Sequence, residues 1–464
     1  MTSFIKTIAK TCCVVIISQI AIAAPSVKLP PYKKTVLKNG MTVIMMEQRK
    51  VPLVDLQLTL RTGNTADPAG KSGVASMTSG LLRKGTKNLN ALQISEALDS
   101  VGANFDTGAS LDAITCTAQF MTKDISKGLE LFAEIITQPI FPEDEFKKLQ
   151  AQALDSMRLL RDRASGVMAR YFMTFLYGSH IYGRGSDENS LASITRGDIL
   201  DCYKSNYTPA NAILVVVGDF KTSEMEKMIS ARFGNWKSSV KPPVVDLPQP
   251  SKVNGQKLLL VDKPDATQTY FMVGNIGIAR NNPDWVAIQV VNTVFGGSFT
   301  SMINTALRIK SGLTYGASSG FVLNKAAGPF IISSFTANAT TEKALELTLE
   351  TLKELHEKGL TQENLDSAKA YIKGTFAPQT FETGFQLASQ LSDMQLHGLP
   401  DSDVNDFFAK VDAVTLDDAT RIIKTYYPEM DLCFVLVGKA EEIRSVAEKF
   451  AKDITVKSIS GPGF

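Results

Sequence analysis

Few side chains in this chain are suited to catalysis. Histidine, the side chain best matched to proton transfer near neutrality and a common metal ligand, occurs three times in 464 residues, as His180, His356 and His397. No two of them can share a helix face as H-x-x-E-H or H-E-x-x-H requires. His356, in the charged run "LKELHEKGL", reads as a solvated surface residue, and His397, in "MQLHGLP", as a helix-end residue whose cationic form suits the dipole. No G-x-S-x-G elbow, phosphate-cradling glycine loop or dinucleotide fingerprint stands in a fitting context. Cys116, Cys202 and Cys433 are widely spaced, with no C-x-x-C, which is the pattern of small buried residues and not of bridges or ligands. What stands out is residues 73–86, "GVASMTSGLLRKGT". Both ends read as helix, yet the centre is Ser-Met-Thr-Ser-Gly, residues that weaken a helix interior. It looks like a helix from which something larger and polar has been removed.

The elements that hold this stretch are laid out twice. Residues 236–255, "WKSSVKPPVVDLPQPSKVNG", carry four prolines and no periodic pattern, and read as a linker between two nearly equal halves. "TRGDILDCYKSNYTPANAILVVVG" (195–218) aligns without a gap with "TLDDATRIIKTYYPEMDLCFVLVG" (415–438). Thr195 matches Thr415, Asp198 matches Asp418, Tyr207 matches Tyr427 and Gly218 matches Gly438. Each copy predicts a capping box, a helix, a turn and a strand of apolar β-formers. Alternation predicts strands over Val54–Arg61 and Asn104–Phe120, the second with Ile114, Cys116, Ala118 and Phe120 on one face. Pro142 with Glu143, Asp144 and Glu145 predicts a helix start, followed by the stripe Phe146, Leu149, Ala153, Met157 and Leu160. Asn282-Pro283 predicts another helix start, with Trp285, Ile288 and Phe295 on that helix. The expected fold class is α+β: two similar duplicated domains, each a mainly antiparallel sheet with helices packed on it. Their expected bounds are 25–237 and 256–464, with 238–255 as the linker.

Charge and targeting bound the partners. A formal net charge of +2, with no basic run, argues against nucleic acid. "MTSFIKTIAKTCCVVIISQIAIAAPS" has a cationic start at Lys6 and Lys10, a short apolar run, and Ala21-Ile22-Ala23 as a small-x-small cleavage site. Residues 1–24 are expected to be a signal peptide, which implies export to the periplasm and a mature chain without a membrane span.

The stretch at 73–86 resembles the inverted zinc-peptidase motif of the pitrilysin and mitochondrial processing peptidase family, the inverzincins. Gly73, Ala75, Leu82, Lys84, Gly85 and Thr86 fit the frame G-L-A-H-F-L-E-H-M-L-F-K-G-T. The resemblance places Ser76 and Gly80 where the two histidine ligands stand, Ser79 where the general-base glutamate stands, and Asp155-Ser156 near the third ligand. Serine and glycine cannot hold a catalytic zinc, which needs about three protein nitrogen or oxygen ligands around an open position. No metal or other cofactor is therefore expected in this chain.

The second half keeps what the first half lacks. "SMINTALRIKSGLTYGASSG" (301–320) resembles the family's C-domain signature, an arginine and a tyrosine seven positions apart, here Arg308 and Tyr315. Gly312 would end the helix carrying Arg308, and Leu313-Thr314-Tyr315 would enter a strand, aiming both side chains into one cavity. There they would donate to a substrate carbonyl or its oxyanion. "FGGSFTS", just before, reads as a flexible turn. "LDSVGANFDTGASLDAITCTAQF" resembles the family strand that pairs with extended peptide, placing Asn104, Phe105 and Asp106 near an open edge; an ordinary sheet strand is the alternative.

The family's two-chain bacterial branch pairs a metal-bearing subunit with a zinc-less one that supplies the Arg/Tyr pair. This chain resembles the second kind, so the expected partner is a homologous metal-bearing subunit and the expected substrate a peptide or unfolded protein. Two other readings stay open: a stand-alone pseudopeptidase that binds peptides or scaffolds an assembly, and an enzyme with an unrecognised metal-free site.

Overall fold

The structure is a computed structural model that describes residues 27–464; the signal-peptide reading, with Cys12 and Cys13, lies outside the described residues. Two six-stranded sheets form the body. The first contains β1 (Lys33–Val36), β2 (Thr42–Glu47), β3 (Leu53–Leu60), β4 (Asn104–Ala109), β5 (Ile114–Met121) and β6 (Ala212–Gly218), in the order β1-β2-β6-β3-β5-β4. The second contains β7 (Lys257–Asp262), β8 (Gln268–Ile276), β9 (Ala317–Phe321), β10 (Pro329–Ala337), β11 (Cys433–Gly438) and β12 (Asp453–Ser458), in the order β12-β7-β11-β8-β10-β9. Neighbours are antiparallel except β2 with β6 and β7 with β11 and β12. The two orders match position for position, with β12 taking the place of β1. This is the α+β, duplicated, mainly antiparallel fold the sequence predicts.

The repeat is structural as well as textual. Thr195 caps the helix Arg196–Asn206 and Thr415 caps Leu416–Tyr426, each in a capping box with an aspartate at N3. Both repeat strands, β6 and β11, are buried along their whole length. In the first half, Phe146 and Met157 of the helix Glu143–Arg161 are buried, as the stripe predicts.

Each sheet is covered on its second face by a helix from the other half. The helix Ala164–Tyr177 sets Val167, Tyr171 and Phe172 against Val261, Val435 and Val437 of the second sheet. The helix Gly384–His397 sets Leu387, Ala388 and Leu391 against Ile44, Val215 and Val217 of the first. The two exchanged helices lie at the same constant offset that relates Thr195 to Thr415. The exchange buries polar positions of β3 that alternate as a solvent face would: Asp55, Gln57 and Thr59. Ser389 donates to Gln57 Oε1 at 3.0 Å, and a Cβ added to Gly384 would stand 2.3 Å from Asp55 Oδ2.

A buried polar knot joins the halves. Asp112 accepts from the Tyr182 hydroxyl at 2.8 Å and from the Lys325 backbone N–H at 2.7 Å. Tyr182 in turn accepts from the Ala326 N–H at 3.0 Å, and Lys325 Nζ donates to the Arg61 carbonyl at 2.6 Å. His180 ties down the segment between Phe233 and Lys257, which holds no helix or strand: its Nδ1 accepts from the Tyr182 N–H, which leaves Nε2 to donate to the Pro248 carbonyl at 2.9 Å.

Several expectations are corrected. Asn104–Phe120 is not one strand but a hairpin, turning at Ser110–Ala113 because the Ser110 hydroxyl accepts from the Ala113 N–H. Ile114, Cys116, Ala118 and Phe120 do share a buried face. The helix expected at Asn282-Pro283 begins at Trp285, since Asn282 accepts from the Asp284 and Trp285 amides in a turn before it. His356 is half-buried and not fully solvated: its Nε2 stands 2.9 Å from the Tyr427 carbonyl, at the end of the repeat helix. Among the described residues Trp285–Lys310 has the length and hydropathy to cross a membrane. It is nevertheless broken around Ser298–Ser301 and packs Ile288, Phe295, Ile303 and Leu307 into the second core.

Candidate functional site

The stretch at 73–86 forms the helix Val74–Leu81, entered through Gly73 at φ 110, a left-handed turn that favours glycine. Asp67 caps it, accepting from the Gly73 N–H at 2.7 Å and the Ala75 N–H at 2.8 Å. Burial pushes the Asp67 carboxyl up to about 6, against the lowering pull of the helix amides. The helix hydroxyls are taken up locally. Thr78 donates to the Val74 carbonyl at 2.8 Å, Ser79 to the Ser76 carbonyl at 2.8 Å, and Ser76 to Asn64 Oδ1 at 3.1 Å. Beside Gly80, Leu149 Cδ2 stands 3.3 Å from where a Cβ would be, so the neighbouring helix leans over the missing side chain.

Asp67 sets a pH dependence. Its folded pKa lies above the unfolded value of about 4, so its contribution to stability is full below pH 4 and is lost as pH rises through about 6. Urea titrations across that window should show the pH slope of unfolding free energy shifted in the positive direction by up to about one proton in Asp67→Asn, because the wild-type carboxyl contributes a negative slope there.

The donor set does not fit zinc. Ser76 is exposed but hydrogen-bonded to Asn64, Ser79 is buried and back-bonded, and Gly80 has no side chain. Asp155 is exposed and pairs with Arg158 of its own helix at 3.1 Å. No three His, Cys, Asp or Glu side chains converge among the described residues. Cys116, Cys202 and Cys433 are free, and burial raises all three thiols.

A cavity of about 380 Å³ opens beside Ser76, with Asn64, Asp67, Ala109, Arg170 and Arg184 in its wall. Ala109 ends β4, which among the described residues pairs only with β5 and lies at the edge of its sheet. Asn104 and Asp106 are exposed there, while Phe105 turns inward to meet Phe132 ring-to-edge at 5.9 Å. Thr107 donates to the Ser79 carbonyl at 2.9 Å, tying the edge strand to the motif helix. The structure thus brings Asn104–Asp106 and Ser76–Gly80 into one region.

Arg308 and Tyr315 stand elsewhere, in the second half. Arg308 lies on a π-helical turn, Thr305–Lys310, of the kind often found at functional sites. Gly312, at φ 65, ends it: Gly312 N–H donates to the Arg308 carbonyl and Leu313 N–H to the Leu307 carbonyl. This closure is one residue wider than the usual glycine stop, because the turn it ends is π. Leu313–Tyr315 does not enter a strand; β9 starts at Ala317, and Tyr315 sits on a bend, 81% exposed. Arg308 Cζ lies 4.8 Å from the exposed Phe299 ring. The pair does not share an enclosed cavity in this chain, and neither lines the cavity beside Ser76. Among the described residues neither side chain has a hydrogen-bond or ion-pair partner. "FGGSFTS" is not simply a flexible turn: a Cβ on Gly296 would stand 2.2 Å from Ser319 Oγ, so close helix–strand packing requires glycine.

Asp67, Arg170 and Arg184 were not legible as site residues. An aspartate ahead of a glycine-led helix is a weak signal for Asp67, and none marks the arginines, which reach the cavity only by folding.

Two family models match the chain: "Insulinase (Peptidase family M16)" over residues 42–177 and "Peptidase M16 inactive domain" over 193–372. The zinc protease PqqE of Helicobacter pylori is 25% identical, the match covering 86% of this chain and 91% of that protein. The uncharacterized zinc protease YmxG of Bacillus subtilis is 22% identical, over 89% of this chain and 100% of that protein. A peptidase M16 inactive domain from Pseudomonas fluorescens superposes with a TM-score of 0.82 at 26% identity, covering 88% of this chain and 98% of that one. Matched in both halves, in sequence and in fold, the chain belongs to peptidase family M16, the pitrilysin-like peptidases.

Proposed function

We propose that this protein is the zinc-less subunit of an exported, two-chain zinc endopeptidase. On this reading it contributes substrate contacts to a homologous, metal-bearing partner in the periplasm. One asymmetry carries the reading. The first half has no donor set for the metal, whereas Arg308 and Tyr315 of the second half make no hydrogen bond or ion pair among the described residues, and Arg308 touches only the exposed Phe299 ring. Arg308 offers a fork of N–H donors and Tyr315 a hydroxyl; both suit a peptide carbonyl whose oxygen gains charge as the bond is attacked.

The test is reconstitution. The purified protein should cleave no peptide alone, and should raise peptide hydrolysis when mixed with an M16 subunit from the same envelope that carries H-x-x-E-H. Chelator should abolish the mixed activity. Cleavage by the single chain, or no rate increase with any such partner, would refute it. In the second case a stand-alone peptide-binding pseudopeptidase takes its place.

A further inference from the structure

Two arginines of the wall of the cavity beside Ser76, Arg170 and Arg184, form no salt bridge among the described residues. Arg170 donates through Nη1 to the Ser186 carbonyl at 2.9 Å and to its Oγ at 3.2 Å, and lies against the Phe464 ring. Burial works against its charge. The nearest candidate counter-charge, Glu188, is held by Arg161 in a two-point pair at 2.7 and 2.9 Å. Arg184 is exposed in the cavity wall and has no acidic partner among the described residues. Asp67, the one carboxylate of the wall, is occupied by the helix amides. A desolvated guanidinium without a counter-ion is costly, and a planar carboxylate is the ligand its fork matches.

The cavity also has a direction of approach. Ala109, at the end of the edge strand β4, forms part of its wall. A peptide added along that edge by backbone pairing would run to the cavity mouth.

We propose that this cavity is a carboxylate-binding subsite for extended peptide, with Arg170 and Arg184 as the ligand-binding pair. Of the motif positions Ser76, Ser79 and Gly80, it is Ser76 that lines this cavity. The inference rests on the reading that the protein binds peptide, and it assigns the acidic group of that peptide to this half.

The experiment is a fluorescence-anisotropy titration of the purified protein with three labelled, N-acetylated hexapeptides of neutral sequence. One ends in a free carboxylate, one in an amide, and one in an amide with an internal glutamate. The free-acid peptide, the glutamate peptide or both should bind about tenfold or more tightly than the neutral amide. Which of them does so tells an α-carboxylate from a side-chain one. Arg184→Ala, at an exposed position that leaves the fold intact, should erase most of the preference, and Arg170→Gln the rest. Thermal melts of both variants should verify that they fold. Equal affinity for all three peptides, no binding of any, or a preference that survives both substitutions would overturn the subsite. Carboxylate preference together with a failed reconstitution would overturn the two-chain reading and leave the subsite standing.

Discussion

Arg308→Ala should lower kcat/KM of the reconstituted two-chain peptidase by about 10²- to 10³-fold, the usual cost of removing one donor aimed at a developing oxyanion. The same change should leave the single chain's stability nearly untouched. Arg308 makes no hydrogen bond or ion pair among the described residues, and its contact with the exposed Phe299 ring is worth only about 0.5–1 kcal/mol. A large kinetic loss beside a small melting shift separates a substrate contact from a structural one. Arg308→Lys keeps the charge but not the fork, and should recover only part of the rate. Tyr315→Phe removes a hydroxyl that is open to solvent and should act in the same sense with no change in melting. Peptide-cleavage kinetics of the mixed complex, paired with melts of the free chain, read all three. Unchanged kinetics in Arg308→Ala would remove the pair from the mechanism.

Asp112→Ala should destabilise the chain by about 2–4 kcal/mol, because it strips the acceptor from two buried donors, each costing about 1–3 kcal/mol when left unmet. Those donors are the Tyr182 hydroxyl and the Lys325 N–H, one from each half, so the loss is felt across the junction. Burial raises the Tyr182 phenol, which therefore stays a proton donor and cannot substitute a charge of its own. Urea unfolding followed by tryptophan fluorescence and by circular dichroism measures the loss. Coincident transitions are expected, since the exchanged helices make each half's core depend on the other. Transitions that separate, or a loss under 1 kcal/mol, would show that the knot contributes little to joining the halves.

The legible parts of the fold were those set by local rules. The capping boxes at Thr195 and Thr415 were readable because a cap is a short-range hydrogen-bond pattern, and the buried face of β5 because a strand's side chains alternate. Local rules fall short where a third element intervenes. β3 alternates like a half-exposed strand, yet Asp55, Gln57 and Thr59 are covered by a helix more than three hundred residues away. His356 sits in a run of charges, yet its ring faces a carbonyl on another helix. Leu313–Tyr315 reads as the entry to a strand because nothing local signals the π turn, whose closure is one residue wider than the usual glycine stop.

The amino-acid order alone determined the duplication, the α+β class and the loss of metal-binding side chains at Ser76, Ser79 and Gly80. Residue identity decides what can ligate, whatever the fold does. Folding alone decided that each half shields the other's sheet and that Asp67 is masked by a helix start. It also left two arginines facing one cavity without a salt-bridge partner among the described residues. Those facts depend on side chains distant in sequence meeting in space, and no spacing along the chain encodes that meeting.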